Sequence, residues 1–283
     1  MKKLILILFF FLSPVFLCCS CGESEGNDSG NMGDGMAENE YLEITELDLD
    51  TSEEGAMELS IDKEGGTYLI DQGGTYLLKG DYHGQIRIDT KEYPVHFILD
   101  NVSVQSYHGP ALYVVSASKV VLTAKEGTEN EFQDSVEYGG EEDANGCIYS
   151  EADLSINGTG TLLVYGNKKS AISSKDCVKI LDGRIRILSK KDGIRANDGI
   201  VIRPGEMTIE SEGSGIVTRK SGKNGKGCLD VCGGEISVVA GKYAILSAQD
   251  LLIRDCSLTL KSIIEDYSCE GDISIQKGCI TNE

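Results

Sequence analysis

The sequence has no tryptophan and only three histidines among its 283 residues. The histidines are His83, His96 and His108, and no pattern around them resembles a nucleophilic catalytic triad. No convincing helix pattern follows the N-terminal segment, so the chain also lacks a glycine-rich phosphate loop that opens a helix. These absences argue against triad hydrolases and against nucleotide-binding folds of that kind.

Positive charge is also scarce, with 26 Lys and Arg against 46 Asp and Glu and a formal net charge of −20. Residues 22–54 alone contain twelve acidic residues and no Lys or Arg. Residues 55–283 contain the other 34 acidic residues and 24 basic ones, so the folded region is acidic too. This charge argues against nucleic acid as a partner, because the phosphate backbone would be repelled.

Long hydrophobic runs are absent except at the start, "MKKLILILFFFLSPVFLCCSCG". Two lysines precede about a dozen apolar residues, too few for a spanning helix and typical of an export signal. The run ends in a cysteine cluster, which resembles a bacterial lipoprotein signal with a small residue before the modified cysteine. We therefore predict a signal peptide over 1–20 and lipidation of Cys21, with Cys19 as the alternative. An ordinary cleaved secretory signal remains open.

Residues 21–55 are rich in Asp, Glu, Gly, Ser and Asn and cannot bury enough apolar surface to fold. They are predicted to form an acidic, flexible tether. An acidic run after a lipidated cysteine resembles the surface-export signals of Bacteroidetes lipoproteins. The expected location is therefore the outer membrane, with the domain lipid-anchored and exposed at the cell surface.

The rest of the chain has an internal repeat. An isoleucine after a small residue recurs at Ile148, Ile172, Ile194, Ile216 and Ile245, with separations of 22 to 29 residues. A second apolar position follows six residues later, at Leu154, Val178, Ile200, Leu251 and Ile273, and in one unit it follows after an insertion, at Leu229. A third segment completes each unit, as in "TLLVYG", "RIRILS" and "EISVVA". Each segment is short and alternates apolar with polar residues, which is the periodicity of β-strands.

Three short strands in about 22 residues indicate one coil of a solenoid. Stacked coils would pair their backbones at about 4.8 Å and place the isoleucines in one column. The small residue before each isoleucine is then explained by tight stacking at that corner. The sequence predicts an all-β fold, a parallel β-helix with three-strand coils over 56–283; a β-sandwich of evenly spaced hairpins is the alternative. The segments 128–146 and 219–227 are insertions expected to protrude as loops.

The corner before the isoleucine contains a column of lysines: Lys169, Lys191 and Lys242. A basic column on an acidic domain could hold a linear polyanion along the solenoid axis, with Arg219 and Lys223 of the second insertion as a lip. A solvated turn is the simpler alternative. Next to this corner, Tyr149 and Tyr243 could stack on a sugar, or could be stacking caps of the solenoid.

Aspartates form another column before the second strand, where Asp176 and Asp198 fall on adjacent coils. Stacked carboxylates repel each other unless a cation lies between them, and calcium with oxygen ligands is the natural candidate. Asp192, in the corner turn, joins them as a possible ligand. The alternative is that these aspartates bond nearby backbone amides of the turns.

Seven cysteines follow the N-terminal cluster, without the paired spacing of a zinc site. Cys177 and Cys228 share a column but are two coils, about 10 Å, apart, too far to bond. Cys232 and Cys256 fall on neighbouring coils and could bridge. An odd number leaves at least one thiol unpaired.

The segments "GPALYVVSASKVVLTAKEGTENEFQD", "CIYSEADLSINGTGTLLVYGN", "KDGIRANDGIVI" and "GKGCLDVCGGEISVVAG" together resemble the bacterial carbohydrate-binding-domain β-helix proteins. The resemblance covers roughly 56–280. It implies a right-handed parallel β-helix similar to pectate lyases, with relatives that bind cellulose or polygalacturonate and build calcium sites from turn aspartates. The family's Asp-Asp-Gly-Ile turn is kept here only in part, as Lys191-Asp192-Gly193-Ile194, so a lysine stands where an acid would bind calcium.

The leading hypothesis is a surface lipoprotein that binds polysaccharide, an acidic glycan or a cellulose-like chain, without catalysis. A polysaccharide lyase acting on uronate polymers is the second hypothesis, with Lys191 and Asp192 as the best candidate pair and calcium as its cofactor. A structural or adhesive protein with a protein partner is the third.

Overall fold

The computed structural model describes residues 39–61, 63–140, 143–203, 205–222 and 224–282. The predicted signal peptide (1–20), Cys21 with its alternative Cys19, most of the predicted tether and Lys223 lie outside the described residues. In the described part, no helix is long and apolar enough to cross a bilayer. Two short helices, η1 (Glu40–Leu42, 3-10) and α1 (Glu46–Leu49), precede the strands.

The first coils are built from long strands that continue around the corners: β1 (Met57–Ser60), β2 (Lys63–Ile70), β3 (Gly74–Asp89) and β4 (Val95–Gln105). The later strands form three faces, which we call first, second and third in chain order.

The first face contains β5 (Leu112–Ser116), β8 (Gly146–Ser150), β11 (Ser170–Ser174), β14 (Ile194–Ala196), β17 (Ile216–Thr218), β20 (Tyr243–Ser247) and β23 (Glu265–Cys269). The second face contains β6 (Lys119–Ala124), β9 (Asp153–Asn157), β12 (Cys177–Ile180), β15 (Gly199–Ile202), β18 (Cys228–Cys232), β21 (Leu251–Arg254) and β24 (Ile273–Ile275). The third face contains β7 (Glu129–Gln133), β10 (Thr161–Gly166), β13 (Arg184–Ser189), β16 (Glu206–Ser211), β19 (Glu235–Ala240), β22 (Ser257–Ser262) and β25 (Ile280–Asn282).

The strands pair in parallel with the same face of the next coil, as the repeat predicts. In the isoleucine column, Ile172 pairs with Ile148 and Ile194, and Ile216 pairs with Ile194 and Ile245. The second column is also in register, from Leu154 to Ile273. The all-β parallel β-helix is confirmed, with about ten turns and a coil spacing near 22 residues in the described part.

The inward side chains of all three faces form one continuous apolar core. Its third-face column, for example, contains Phe132, Val164, Ile187, Ile209 and Val238, each at most 1% exposed. Burying each such side chain contributes roughly 1.5–3 kcal/mol, so the core stabilises every coil against its neighbours. The alternation of buried and exposed residues along β13 and β16 leaves the outward positions free for a surface function.

The corner before the isoleucine is as tight as its small residues predict. A Cβ added to Gly193 would lie 2.5 Å from Ile209 Cγ2 and 2.6 Å from the carbonyl oxygen of Gly215. One added to Gly215 would lie 2.2 Å from Val238 Cγ1 and 2.6 Å from the carbonyl oxygen of Ala244. Glycine is therefore required at these two positions for space.

Residues 39–50, which we call the strap, differ from the prediction of a solvated tether through residue 55. The strap lies on the second face, where Leu42 packs with Leu181, Val201 and Cys228. Asp48 of α1 is fully buried and forms ion pairs with Lys119 and Lys179. Acidic composition alone predicted solvation, but two lysines on the second face provide the counter-charge that lets one carboxylate leave water.

The two insertions also differ from the expectation that they protrude. The first begins with β7 of the third face, and the twelve-residue loop between β7 and β8 packs back on the first face, where Tyr138 and Ala144 are buried against Tyr149. The second folds over towards the strap, and Lys226 lies 4.7 Å from the ring centroid of Tyr41. Both insertions therefore cover residues that the sequence alone would leave at the surface.

Candidate carbohydrate-binding surface

The predicted lysine column is present, and backbone hydrogen bonds connect its positions on successive coils. The amide of Lys191 donates to the carbonyl of Lys169 (3.2 Å), Gly213 donates to Lys191 (2.8 Å), and Lys242 donates to Gly213 (3.0 Å). Lys191 and Lys242 are exposed, and neither forms an ion pair with another described residue. Gly213 separates them by one coil, so the backbones of the two lysines lie about 10 Å apart along the axis at the same corner.

Lys169 does not belong to this exposed column. It is only 7% exposed, its Nζ donates to the carbonyl of Ala144 at 2.7 Å, and it lies 5.1 Å from the ring centroid of Tyr138. The first insertion therefore binds the ammonium group of Lys169 through Ala144 and Tyr138 and covers this side chain. Lys169 anchors that insertion and is not accessible to a ligand at the surface.

The two tyrosines also have different environments. Tyr149 is 1% exposed, its hydroxyl donates to Glu151 Oε1 at 2.5 Å, and its ring centroid lies 5.4 Å from that of Tyr113. Burial raises the pKa of Tyr149, and the bond to Glu151 raises it further. Tyr149 is thus packed within the solenoid, which agrees with the alternative to sugar stacking given in the sequence analysis. Tyr243 remains half-buried at the corner.

Asp192 and Arg219 form a polar cluster inside the corner. Asp192 Oδ1 accepts from the amide of Ser214 at 3.0 Å, and Oδ2 lies 2.8 Å from Arg219 and 3.9 Å from Arg195. Burial lowers the pKa of Arg195, and the neighbouring Arg219 lowers it further. Asp192 therefore holds the turn of the next coil and the start of the second insertion together.

Two of the three aspartates proposed as calcium ligands, Asp192 and Asp198, are paired with basic side chains of the protein. Asp198 lies 2.5 Å from Lys226 and 3.4 Å from Lys220, both from the second insertion. Burial raises the pKa of Asp176, and the carboxylates of Asp153 and Asp198 raise it further. Lysines of the second insertion thus occupy Asp198, and Arg219 occupies Asp192, where calcium would need free carboxylate oxygens. Within the described ranges, no three acidic, His or Cys side chains form a metal-binding group.

The third face contains an axial groove that the sequence analysis did not identify. Its floor follows one outward column, in which Tyr165, Leu188, Glu210, Val239 and Lys261 are in register on five successive coils. Leu188 and Val239 are 47% and 46% exposed, and the groove volume is about 550 Å³. Apolar residues at outward positions, in "RIRILS" and "EISVVA", were the available indication.

The rim of the groove is polar and adjoins the lysine corner. Lys190 lines it and pairs with Glu212 at 2.5 Å, while Lys261 forms no ion pair with the described residues. Gly241 also lines it, so the exposed Lys191 and Lys242 follow directly in the chain after groove residues. The groove thus combines apolar contact area with positive charge at one edge.

Comparison with known proteins shows the family of the chain. The model of a family described as carbohydrate-binding domain-containing proteins matches residues 64–280. The chain belongs to this carbohydrate-binding domain family. A member from Acetivibrio thermocellus, described in the same words, is 30% identical over 217 residues, which are 75% of this chain and 76% of that protein.

The carbohydrate-binding domain is also similar to a solved structure. That structure is described as a polysaccharide lyase-like protein from C. thermocellum, gadolinium derivative. The TM-score is 0.76 at 27% identity, and the match covers 80% of this chain and 98% of the other. The shared solenoid therefore extends over nearly the whole of the solved chain.

Proposed function

We propose that this protein is a cell-surface lipoprotein of the outer membrane that binds a linear, carboxylate-bearing polysaccharide in the groove of the third face. The observation that carries the proposal is the in-register column from Tyr165 to Lys261, bordered by the exposed lysines of the corner. Family membership supports the class of ligand, and the groove supports its shape and charge.

The shape of the groove favours an extended chain parallel to the solenoid axis. Five coils at about 4.8 Å give a floor roughly 20 Å long, which would contact several sugar rings in a row. Tyr165, Leu188 and Val239 would pack against the C–H faces of the rings.

The charge of the groove favours an acidic glycan over a neutral one. The charges that line the groove are balanced, with Lys190 and Lys261 against Glu210 and Glu212, and the exposed Lys191 and Lys242 add positive charge at the corner beside it. A local excess of positive charge on an acidic protein would attract carboxylates and set their register.

We expect the double variant Lys191→Glu/Lys242→Glu to weaken binding of polygalacturonate roughly 10-fold at low ionic strength, because two exposed attractive pairs become repulsive. Isothermal titration calorimetry with sized oligomers measures this change. The difference between variant and wild type should shrink as salt is added.

The matched control makes the same charge change away from the groove, in Lys91→Glu/Lys277→Glu, since both lysines are exposed. This control should retain wild-type affinity. Equal losses in the two double variants would show that net charge, and not the groove, decides binding. No loss in either would contradict the proposed site.

We also expect binding to survive removal of calcium, because Lys226 and Arg219 already neutralise Asp198 and Asp192. Titrations of the same polymer with EDTA and with added calcium should give affinities within about twofold of each other. Binding that disappears with EDTA and returns with calcium would overturn the proposal that lysines take the role of the metal.

A polysaccharide lyase is the second candidate, supported by the similar solved structure described as polysaccharide lyase-like. Lys191 and Asp192 do not form the pair that such a reaction needs, because Asp192 is bonded to Ser214 and Arg219. Unsaturated uronates released from polygalacturonate, detected by absorbance, would favour the lyase over a binding protein.

A further inference from the structure

Three cysteines occur on successive coils at the C-terminal end of the solenoid, in the turn between the second and third faces. Cys232 ends β18, Cys256 precedes β22, and Cys279 precedes β25. The last coil pairs with the protein on one side, through β24 and β25. A covalent link at this turn would therefore act on the coil that has the fewest neighbours.

The backbone brings Cys256 and Cys279 to adjacent positions. Each follows a residue in the left-handed region, Asp255 with φ 52° and Gly278 with φ 93°. The amide of Leu258 donates to the carbonyl of Cys279 at 2.7 Å, so the two cysteines lie about one residue out of register on neighbouring strands. That offset corresponds to a Cα separation of roughly 6 Å, within the range of disulfides.

A side chain and the core hold the two turns together. Gln276 accepts at Oε1 from the amide of Asp255 (2.8 Å) and at its carbonyl from the amide of Cys279 (3.2 Å). Cys279 is 4% exposed in the core, and Cys256 packs against the same core. Burial raises the pKa of Cys256, and the neighbouring thiol of Cys279 raises it further.

We propose that Cys256 and Cys279 form a disulfide that fastens the last coil to the coil before it. Two thiols lose two protons and two electrons, and the electrons pass to a small-molecule or protein disulfide, which is reduced to two thiols. Cys232 stays a thiol, because it pairs with Arg254, two residues before Cys256, and forms no part of the turn that Gln276 holds.

The bond would change the opening of the last coil more than the rest of the fold. End strands with one neighbour open by local unfolding, and a cross-link limits that opening. The raised pKa of Cys256 keeps it a thiol at neutral pH, so the link is expected to form during folding, while the turn is still accessible.

Peptide mapping of the full chain tests the link directly. The protein is treated with oxidised glutathione during refolding, alkylated under denaturing conditions and digested with trypsin without reduction. Cleavage after Arg254, Lys261 and Lys277 places Cys256 in peptide 255–261 and Cys279 in peptide 278–283. We expect these two peptides joined. Cys232 falls in a different peptide, 227–242, so the Cys232–Cys256 bridge considered from the sequence would give a different mass and would overturn the proposal.

Hydrogen exchange provides the second measurement. On reduction of the wild-type protein, amides of β25 should exchange on the order of 100-fold faster, while those of β13 in the middle should not change. The Cys256→Ser variant should match the reduced protein, and the control variant Cys232→Ser should match the oxidised one. Alkylation of both Cys256 and Cys279 after oxidative refolding would contradict the link.

Discussion

Replacement of Asp48 by asparagine is expected to lower the free energy of unfolding by about 3–5 kcal/mol, because it leaves two lysines with an uncompensated charge. Lys119 and Lys179, which are 12% and 4% exposed, lie 2.7 and 3.3 Å from the Asp48 carboxylate. Ser155 donates to the same carboxylate at 2.5 Å. Chemical denaturation followed by circular dichroism measures the loss.

The matched control is Glu46→Gln, which removes one negative charge from the same helix at an exposed position and should change stability by less than about 0.5 kcal/mol. Lys119→Met combined with Lys179→Met in the Asp48→Leu background should recover much of the loss, since no buried charge then remains. An Asp48→Asn protein that unfolds at the wild-type denaturant concentration would show that the strap is not docked in solution.

The same carboxylate gives a pH dependence with a defined sign. Burial opposes its ionisation, but the bonds from Lys119 and Ser155 outweigh burial and hold the pKa of Asp48 well below its usual value. Its contribution to stability is therefore complete above the unfolded pKa of about 4 and is lost as the pH falls further towards the folded value. The difference between wild type and Asp48→Asn should shrink over that acidic range.

Gly215→Val is expected to lower the free energy of unfolding by about 3 kcal/mol or more, because the corner has no space for a branched side chain. A Cβ there would lie 2.2 Å from Val238 Cγ1 and 2.6 Å from the carbonyl oxygen of Ala244. Neither neighbour can yield easily, since Val238 is fully buried and Ile245 follows Ala244 in the isoleucine column. For a chain of this size the melting temperature should fall by roughly 6–12 °C, measured by calorimetry.

The control for Gly215 is Gly139→Val, in the exposed part of the first insertion, where the nearest atom to an added Cβ is 4.0 Å away. This variant should melt close to the wild type. A Gly215→Val protein with an unchanged melting temperature would mean that the coils do not stack as closely at this corner as the structure indicates.

The candidate surface could be predicted only in part. Register made Lys191 and Lys242 members of one column, and the structure confirms that column through backbone bonds. The repeat register also places Lys169 in the column, yet in the structure the first insertion covers both Lys169 and Tyr149. Where a twelve-residue loop folds back depends on contacts between segments that no repeat relates, so the sequence period carries no information about it.

The groove was missed because its residues were counted as ordinary strand positions. Leu188 and Val239 occupy outward positions, where a polar residue is expected, but a single apolar residue on a surface is common. Their significance appears only when parallel pairing places them with Tyr165 and Lys261 on one line.

By itself the sequence determined the solenoid, because a period near 22 with three alternating segments leaves stacked coils as the arrangement that pairs every backbone and buries every inward Ile, Leu and Val. The tertiary structure alone decided which charges are buried. Asp48 pairs with Lys119 and Lys179, which are 71 and 131 residues away in the sequence. Asp198 pairs with Lys226, which is 28 residues away. The repeat relates residues on neighbouring coils, whereas these ion pairs join the solenoid to the strap and to an insertion, which lie outside the period.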